Sequence, residues 1–274
     1  MTRKLDFIPP IPGYQFIREQ MAADLAYRLE SRTIKTSLGR PLYYRMNVQV
    51  VMTQECPYAC PFCIERQNPM TGNNDFKAQL AALRHVLAEH PNARLTITGG
   101  EPGLYPEHVR NLVDVFKQHS NNVFAVVNTA GYSKELNNIC RINLSVNPYV
   151  KSDPLAFPGC TYQTVLEDSK MRLERIVGTI VQNPLIKNFS FRFLSGLNQH
   201  DYDATIFNEL RESKFVKIHT FRIGDFFTYV TFDTFGAHCR VTLGDMYQQT
   251  HNDYQDGYSN IIIHPDGRIG VNWK

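Results

Sequence analysis

Three cysteines, Cys56, Cys60 and Cys63, fall within one short loop, Glu55-Cys-Pro-Tyr-Ala-Cys-Pro-Phe-Cys-Ile64. Thiolates spaced C-x3-C-x2-C directly after an apolar run can converge on one metal centre, and three ligands leave a position open for chemistry. Structural zinc takes four protein ligands, commonly as two close pairs. Here the nearest histidine in sequence is His85, and no second C-x-x-C occurs. An iron–sulfur cluster held by three thiolates, with one iron left for an outside ligand, fits the spacing better. Pro57 and Pro61 stiffen the loop, so the thiolates are oriented before metal arrives.

A second group stands at the end of a predicted strand, Gly99-Gly100-Glu101-Pro102. Two glycines let backbone approach a ligand closely, and Glu101 offers an acceptor suited to a cation. Alone, this tetrapeptide reads as an ordinary strand-end turn.

The two motifs together, in this order and on these element ends, resemble the radical S-adenosylmethionine (radical SAM) superfamily over roughly Asn47 to Gly224. The resemblance implies an α/β fold, a partial (β/α)6 TIM-like barrel with its active site at the C-terminal ends of the strands. It implies that Cys56, Cys60 and Cys63 ligate three irons of a single [4Fe-4S] cluster, while the methionine moiety of S-adenosylmethionine (SAM) chelates the fourth. Phe62 would pack near adenine, and Gly99, Gly100, Glu101 and Pro102 would bind the cofactor, with Glu101 as the acceptor suited to its α-ammonium group. Asn128, Ser145 and Arg192, on other strand ends, are candidate partners for ribose hydroxyls or the methionine carboxylate. An electron from the cluster would cleave SAM to methionine and a 5′-deoxyadenosyl radical that takes hydrogen from substrate. The substrate expected is a small polar metabolite or a peptide, and the electron donor a protein such as flavodoxin or ferredoxin.

Cys140, Cys160 and Cys239 share no ligand-like spacing, so one cluster is expected. Cys140 and Cys160 read as core or loop cysteines. Cys239 lies in Gly236-Ala-His-Cys-Arg240, and some radical epimerases use such a cysteine to return hydrogen to a substrate radical. Cys239 is therefore a candidate hydrogen donor, with His238 and Arg240 as candidate substrate contacts. An RNA-modifying member of the superfamily and a non-catalytic zinc-binding protein are the remaining readings.

Several elements must position these residues. Residues 1–45 read as an N-terminal extension with a surface helix over Gln15 to Arg32, residues 46–224 as the barrel core, and 225–274 as a β-rich tail covering the substrate. Within the core, strands are predicted over 44–53, 94–98, 123–127, 141–146, 188–194 and 217–223. Helices are predicted over 75–89, 107–118, 134–138, 162–182 and 201–214. About six βα units imply a parallel sheet with right-handed crossovers. In the tail, 226–232, 238–243, 259–264 and 268–273 read as short strands. The last two form a hairpin about Pro265-Asp-Gly267.

The 274 residues are 43% hydrophobic, ordinary for a folded protein. Lys plus Arg number 29 against 26 for Asp plus Glu, and a formal charge of +3 gives no field from which to argue a nucleic-acid or membrane partner. No run of about 18 apolar residues occurs. The N-terminus lacks a signal-peptide pattern and six cysteines form no disulfide framework, so a soluble cytoplasmic protein is expected.

Overall fold

A computed structural model describes residues 45–67, 69–70, 72–166, 172–193, 205–223, 227–244 and 258–270. The helix expected over Gln15 to Arg32 lies outside the described residues. In chain order the elements are β1 (Arg45–Val51), α1 (Ile64–Gln67), α2 (Phe76–Glu89), β2 (Arg94–Thr98), α3 (Pro106–His119), β3 (Ala125–Thr129) and β4 (Arg141–Ser145). There follow β5 (Thr161–Leu166), α4 (Leu173–Gln182), β6 (Asn188–Phe193), α5 (Thr205–Glu212), β7 (Lys217–Ile223), β8 (Phe227–Thr234), β9 (Ala237–Gly244), β10 (Tyr258–Ile263) and β11 (Ile269–Gly270). This is the expected α/β class on mostly parallel sheet. Contacts divide the chain into two compact units, one of residues 44–162 with 250–274, the other of 163–249 with 1–43.

In the first unit the strand order is β11-β10-β1-β2-β3-β4. β10, β1, β2, β3 and β4 are mutually parallel, and only β11 is antiparallel, to β10. Strand alternation gives the sheet two unlike faces. Val48, Val50 and Met52, Leu95 and Ile97, Val127, and Ile142 and Leu144 are buried on one of them. Against the apolar sheet pack α2 and α3. α2 buries Ala82, Leu83, Val86 and Leu87, one face of a helix. It starts because the Asp75 carboxylate accepts from Ala78 N–H at 2.9 Å. α3 begins with Pro106 in its first turn, carries Lys117 and His119 in its last, and buries Val109, Leu112, Val113 and Phe116. The opposite face of the sheet is polar, with Asn47, Gln49, Thr96, Thr98, Asn128, Asn143 and Ser145. Val51 and Ile262 interrupt it and cluster with Met70.

The expected terminal hairpin is present: β10 turns through Pro265-Asp266-Gly267 into β11, with Gly267 at φ +82. β10 itself lies beside β1, six residue pairs in parallel register from Arg45↔Tyr258 to Val50↔Ile263.

In the second unit the order is β6-β9-β8-β7. β9 is parallel to β6, and both hairpin partners, β8 with β9 and β7 with β8, are antiparallel. Two sequence expectations are corrected here. Lys217–Ile223 does not extend a parallel series, since its described ladder is antiparallel to β8, and β9 takes the place beside β6. The helix expected over 162–182 divides into β5 and α4. Tyr162, Val165 and Leu166 imitate helical spacing, but β-branched Thr161, Thr164 and Val165 favour the pleated form.

Candidate active site at the cysteine loop

The cysteine loop leaves the C-terminal end of β1, and its path is fixed by the end of β2. Met52 N–H donates to Thr98 O at 2.9 Å, Gly100 N–H to Thr53 O at 2.5 Å, and Glu101 N–H to Glu55 O at 2.7 Å. Both glycines are required by this approach. Gly99 sits at φ +124, and a Cβ there would lie 2.4 Å from Thr53 O; one on Gly100 would lie 2.1 Å from Glu55 O. The close contact that Gly99 and Gly100 permit is thus with the cysteine loop's own backbone.

Glu101 is likewise spoken for. It is 1% exposed. Its Oε1 accepts from Gly103 N–H at 2.8 Å and from the Thr129 hydroxyl, and its Oε2 accepts from Ala130 N–H at 2.7 Å. Burial pulls its pKa up, and these donors oppose the shift. Through these bonds the carboxylate ties the end of β2 to the end of β3. Pro102, buried, opens the 3-10 turn Pro102–Leu104 that Glu101 caps.

The loop is braced on its other side by residues the sequence reading passed over. Glu55 accepts from the Tyr105 hydroxyl at 2.6 Å and from Asn74 Nδ2 at 3.1 Å, and Asn74 also donates to Thr53 Oγ1 at 3.0 Å. Gln54 Nε2 donates to Met70 O at 2.7 Å. A signal existed: polar residues between a strand's end and a metal loop have backbone to satisfy.

Cys56 is exposed, and Cys60 and Cys63 are half-buried. Burial first, then the neighbouring Cys63 and Cys56 thiols, raises the pKa of Cys60; burial chiefly raises that of Cys56. The Cys60 thiol reaches Asn147 Oδ1 at 3.9 Å. Among the described residues, the three sulfurs do not belong to a ligand set that closes to within 4.8 Å of one another. A lone zinc ion, with Zn–S near about 2.3 Å, would need such closure; a cluster of several irons and sulfides spreads its ligands further apart. The residues present fit the cluster.

Of the other candidates, Phe62 packs edge-on against Tyr149, ring centroids 5.9 Å apart. Asn128 Oδ1 accepts from Asn143 Nδ2 at 2.9 Å, and Ser145 follows on the same polar face. Arg192 and Cys239 belong to the other unit. Register places Phe189 opposite Cys239 and Arg192 opposite Thr242, so Arg192 and Cys239 lie on opposite faces of that sheet. Cys239 is fully buried on the face of Phe189, Phe191, Val230 and Phe232, and burial pushes its thiol up to about 12. The two do not line one pocket.

Glu65, two residues past Cys63, was also overlooked. It is 7% exposed, both carboxylate oxygens lack a hydrogen-bond partner among the described residues, and burial pushes its pKa up to about 7.

Residues 45–151 match the family model described as a 4Fe-4S single cluster domain. Of solved structures, SuiB from Streptococcus suis bound to S-adenosylmethionine is 14% identical, with a TM-score of 0.51 over 94% of this chain and 65% of that one. SuiB bound to its precursor peptide SuiA is 15% identical, with a TM-score of 0.51 over 92% and 63%. Native anSMEcpe with bound AdoMet aligns more loosely, at 14% identity and a TM-score of 0.45 over 54% of this chain and 51% of that chain. No curated protein matches the chain at a significant level. At these identities the SuiB likeness shows the fold.

Residues 45–151, with the cysteine loop in them, match a 4Fe-4S single cluster domain and lie on a mostly parallel α/β scaffold. Both motifs stand on adjacent strand ends, the arrangement on which the resemblance to the radical SAM superfamily rests. The chain spans between half and two-thirds of the length of these structures.

Proposed function

We propose that the protein binds SAM at a single [4Fe-4S] cluster and uses it to abstract hydrogen from a small polar metabolite or a peptide. When bound, the cluster would supply one electron to the sulfonium of SAM, which would leave methionine and a 5′-deoxyadenosyl radical. Cys56, Cys60 and Cys63 would hold three irons and leave the fourth to the amino and carboxylate groups of SAM. Thr53, Glu55, Asn74 and Tyr105 hold that loop from one side, and the Gly99–Glu101 backbone holds it from the other. Phe62, Asn128, Ser145 and Arg192 are the further cofactor contacts of this reading.

The single observation that carries it is the fixed placement of three thiols at the end of β1, against the end of β2. The sheet face beside the loop carries amides and hydroxyls, with Arg94 and Arg141 at the far ends of their strands, and suits a polar substrate. SuiB, of similar fold, is known bound to a precursor peptide, which supports a peptide among the candidates. Epimerisation with Cys239 as donor is the second reading, and the burial of that thiol away from Arg192's face weighs against it. No described helix is long and apolar enough to cross a membrane; we place the protein in the cytoplasm, reduced there by a flavodoxin or ferredoxin.

Anaerobic reconstitution should give about four irons per chain, and dithionite-reduced protein should release 5′-deoxyadenosine from SAM. Cys60→Ala should lose both. A fully loaded cluster that releases no 5′-deoxyadenosine would sink the proposal.

A further inference from the structure

His219, Asp233 and His238 come from three adjacent strands, β7, β8 and β9, and their side chains meet. Asp233 Oδ2 lies 2.6 Å from His219 Nε2, and Asp233 Oδ1 lies 2.8 Å from His238 Nδ1. One atom from each residue lies within 4.8 Å of both others. From these positions we propose that the three side chains form a second, mononuclear site for a divalent transition ion of zinc type, separate from the cysteine loop.

The backbone is built to deliver them. Asp233 and His238 face each other across the hairpin, flanking a two-residue turn whose central residues, Phe235 at φ +48 and Gly236 at φ +75, both have positive φ. A phenylalanine rarely adopts that conformation, and it is retained here with its ring stacked on Phe215, centroids 6.0 Å apart. His219 arrives by a different device. The β7–β8 register shifts between Ile218 and Thr220, so His219 is the extra residue of a β-bulge, left out of the ladder. Bulges re-aim side chains, and this one sends an imidazole to a carboxylate already met by a second imidazole.

The donor set decides the ion. Two imidazoles and one carboxylate suit zinc and its transition-metal neighbours, not calcium or magnesium, which prefer oxygen throughout. Around zinc at about 2.0–2.2 Å, tetrahedral ligand atoms stand roughly 3.3 Å apart. The two Asp–His separations, 2.6 and 2.8 Å, need to open by well under an ångström as the ion replaces the shared protons, and the two imidazole nitrogens start within 4.8 Å of each other. The side chains are 34%, 47% and 51% exposed, which leaves an entry path and room for water as the remaining ligand. An exposed hydrogen-bonded His–Asp–His set with no metal would contribute little to stability, so the bulge and the strained turn find their use in an ion that pins β7, β8 and β9 together.

The site is independent of the radical reading, and its test is metal content. Anaerobic protein carrying its iron–sulfur cluster, dialysed against micromolar zinc chloride, should retain one zinc per chain beyond its iron. His219→Ala and His238→Gln should each lose that zinc while keeping full iron. Zinc should raise the melting temperature of the wild type by a few degrees and leave both variants unmoved, although in EDTA all three melt together. Wild-type protein that retains no zinc, or variants that retain as much as wild type, would overturn the proposal.

Discussion

Glu101 binds two strand ends together beside the cysteine loop. Its two oxygens accept from Gly103, Thr129 and Ala130, all buried with it or against it. Glu101→Gln turns one acceptor oxygen into an NH2 group facing a donor. The expected cost is about 1–3 kcal/mol in urea unfolding, with iron content following stability. Gly100→Ala acts differently, because its Cβ would lie 2.1 Å from Glu55 O. There the loop must move, so assembled cluster should fall several-fold while far-UV circular dichroism changes little. Equal iron in Gly100→Ala and wild type would show that the loop tolerates displacement. The sequence motif announced both residues, but their partners lie in Thr53, Glu55 and Thr129, which no spacing rule connects to them.

At the scale of elements, a buried relay joins two helices to two strand ends. Gln79 Nε2 donates to Met52 O at 2.9 Å and to Pro265 O at 2.8 Å, which leaves its Oε1 to accept from His108 Nε2–H at 2.9 Å. Met52 stands just before the cysteine loop and Pro265 in the β10–β11 turn. His108 also stacks on Phe76, ring centroids 4.1 Å apart. Burial lowers its pKa to about 4. A folded-state pKa below the unfolded value means that protons favour the unfolded chain. The stabilisation is therefore whole above about pH 6.5 and lost as pH falls towards 4, up to about 3 kcal/mol. His108→Gln can still donate to Gln79 but does not titrate. Its unfolding free energy should fall less than that of wild type between pH 7 and 4.5; parallel curves would remove His108 from the acid response. The strands and helices around this relay were legible from periodicity, α2 and α3 almost to the residue. Pairing was not: periodicity says that a strand exists and which face is apolar, never which neighbour it takes. So β9 beside β6, and β5 where a helix was expected, became visible only in three dimensions.

Over the whole molecule, chemistry-bearing residues divide between two units. Cys56, Cys60, Cys63, Gly99, Gly100, Glu101, Asn128 and Ser145 belong to one, and Arg192, Cys239 and the His219–Asp233–His238 set to the other. The three cysteines of the first set stood out because thiolates that share one metal centre are constrained in spacing along the chain. The second set did not, since its three ligands come from three strands and one of them depends on a bulge. Finally, β1, the strand that carries the cysteine loop, has β10 as one of its two neighbours, from a part of the chain some two hundred residues later. During synthesis at the ribosome, that flank of β1 stays an open edge, with its N–H and C=O groups unpaired, until β10 emerges. The loop's supporting strand is therefore complete only after β10 has been made, and iron offered earlier meets cysteines on a sheet that is still missing a neighbour.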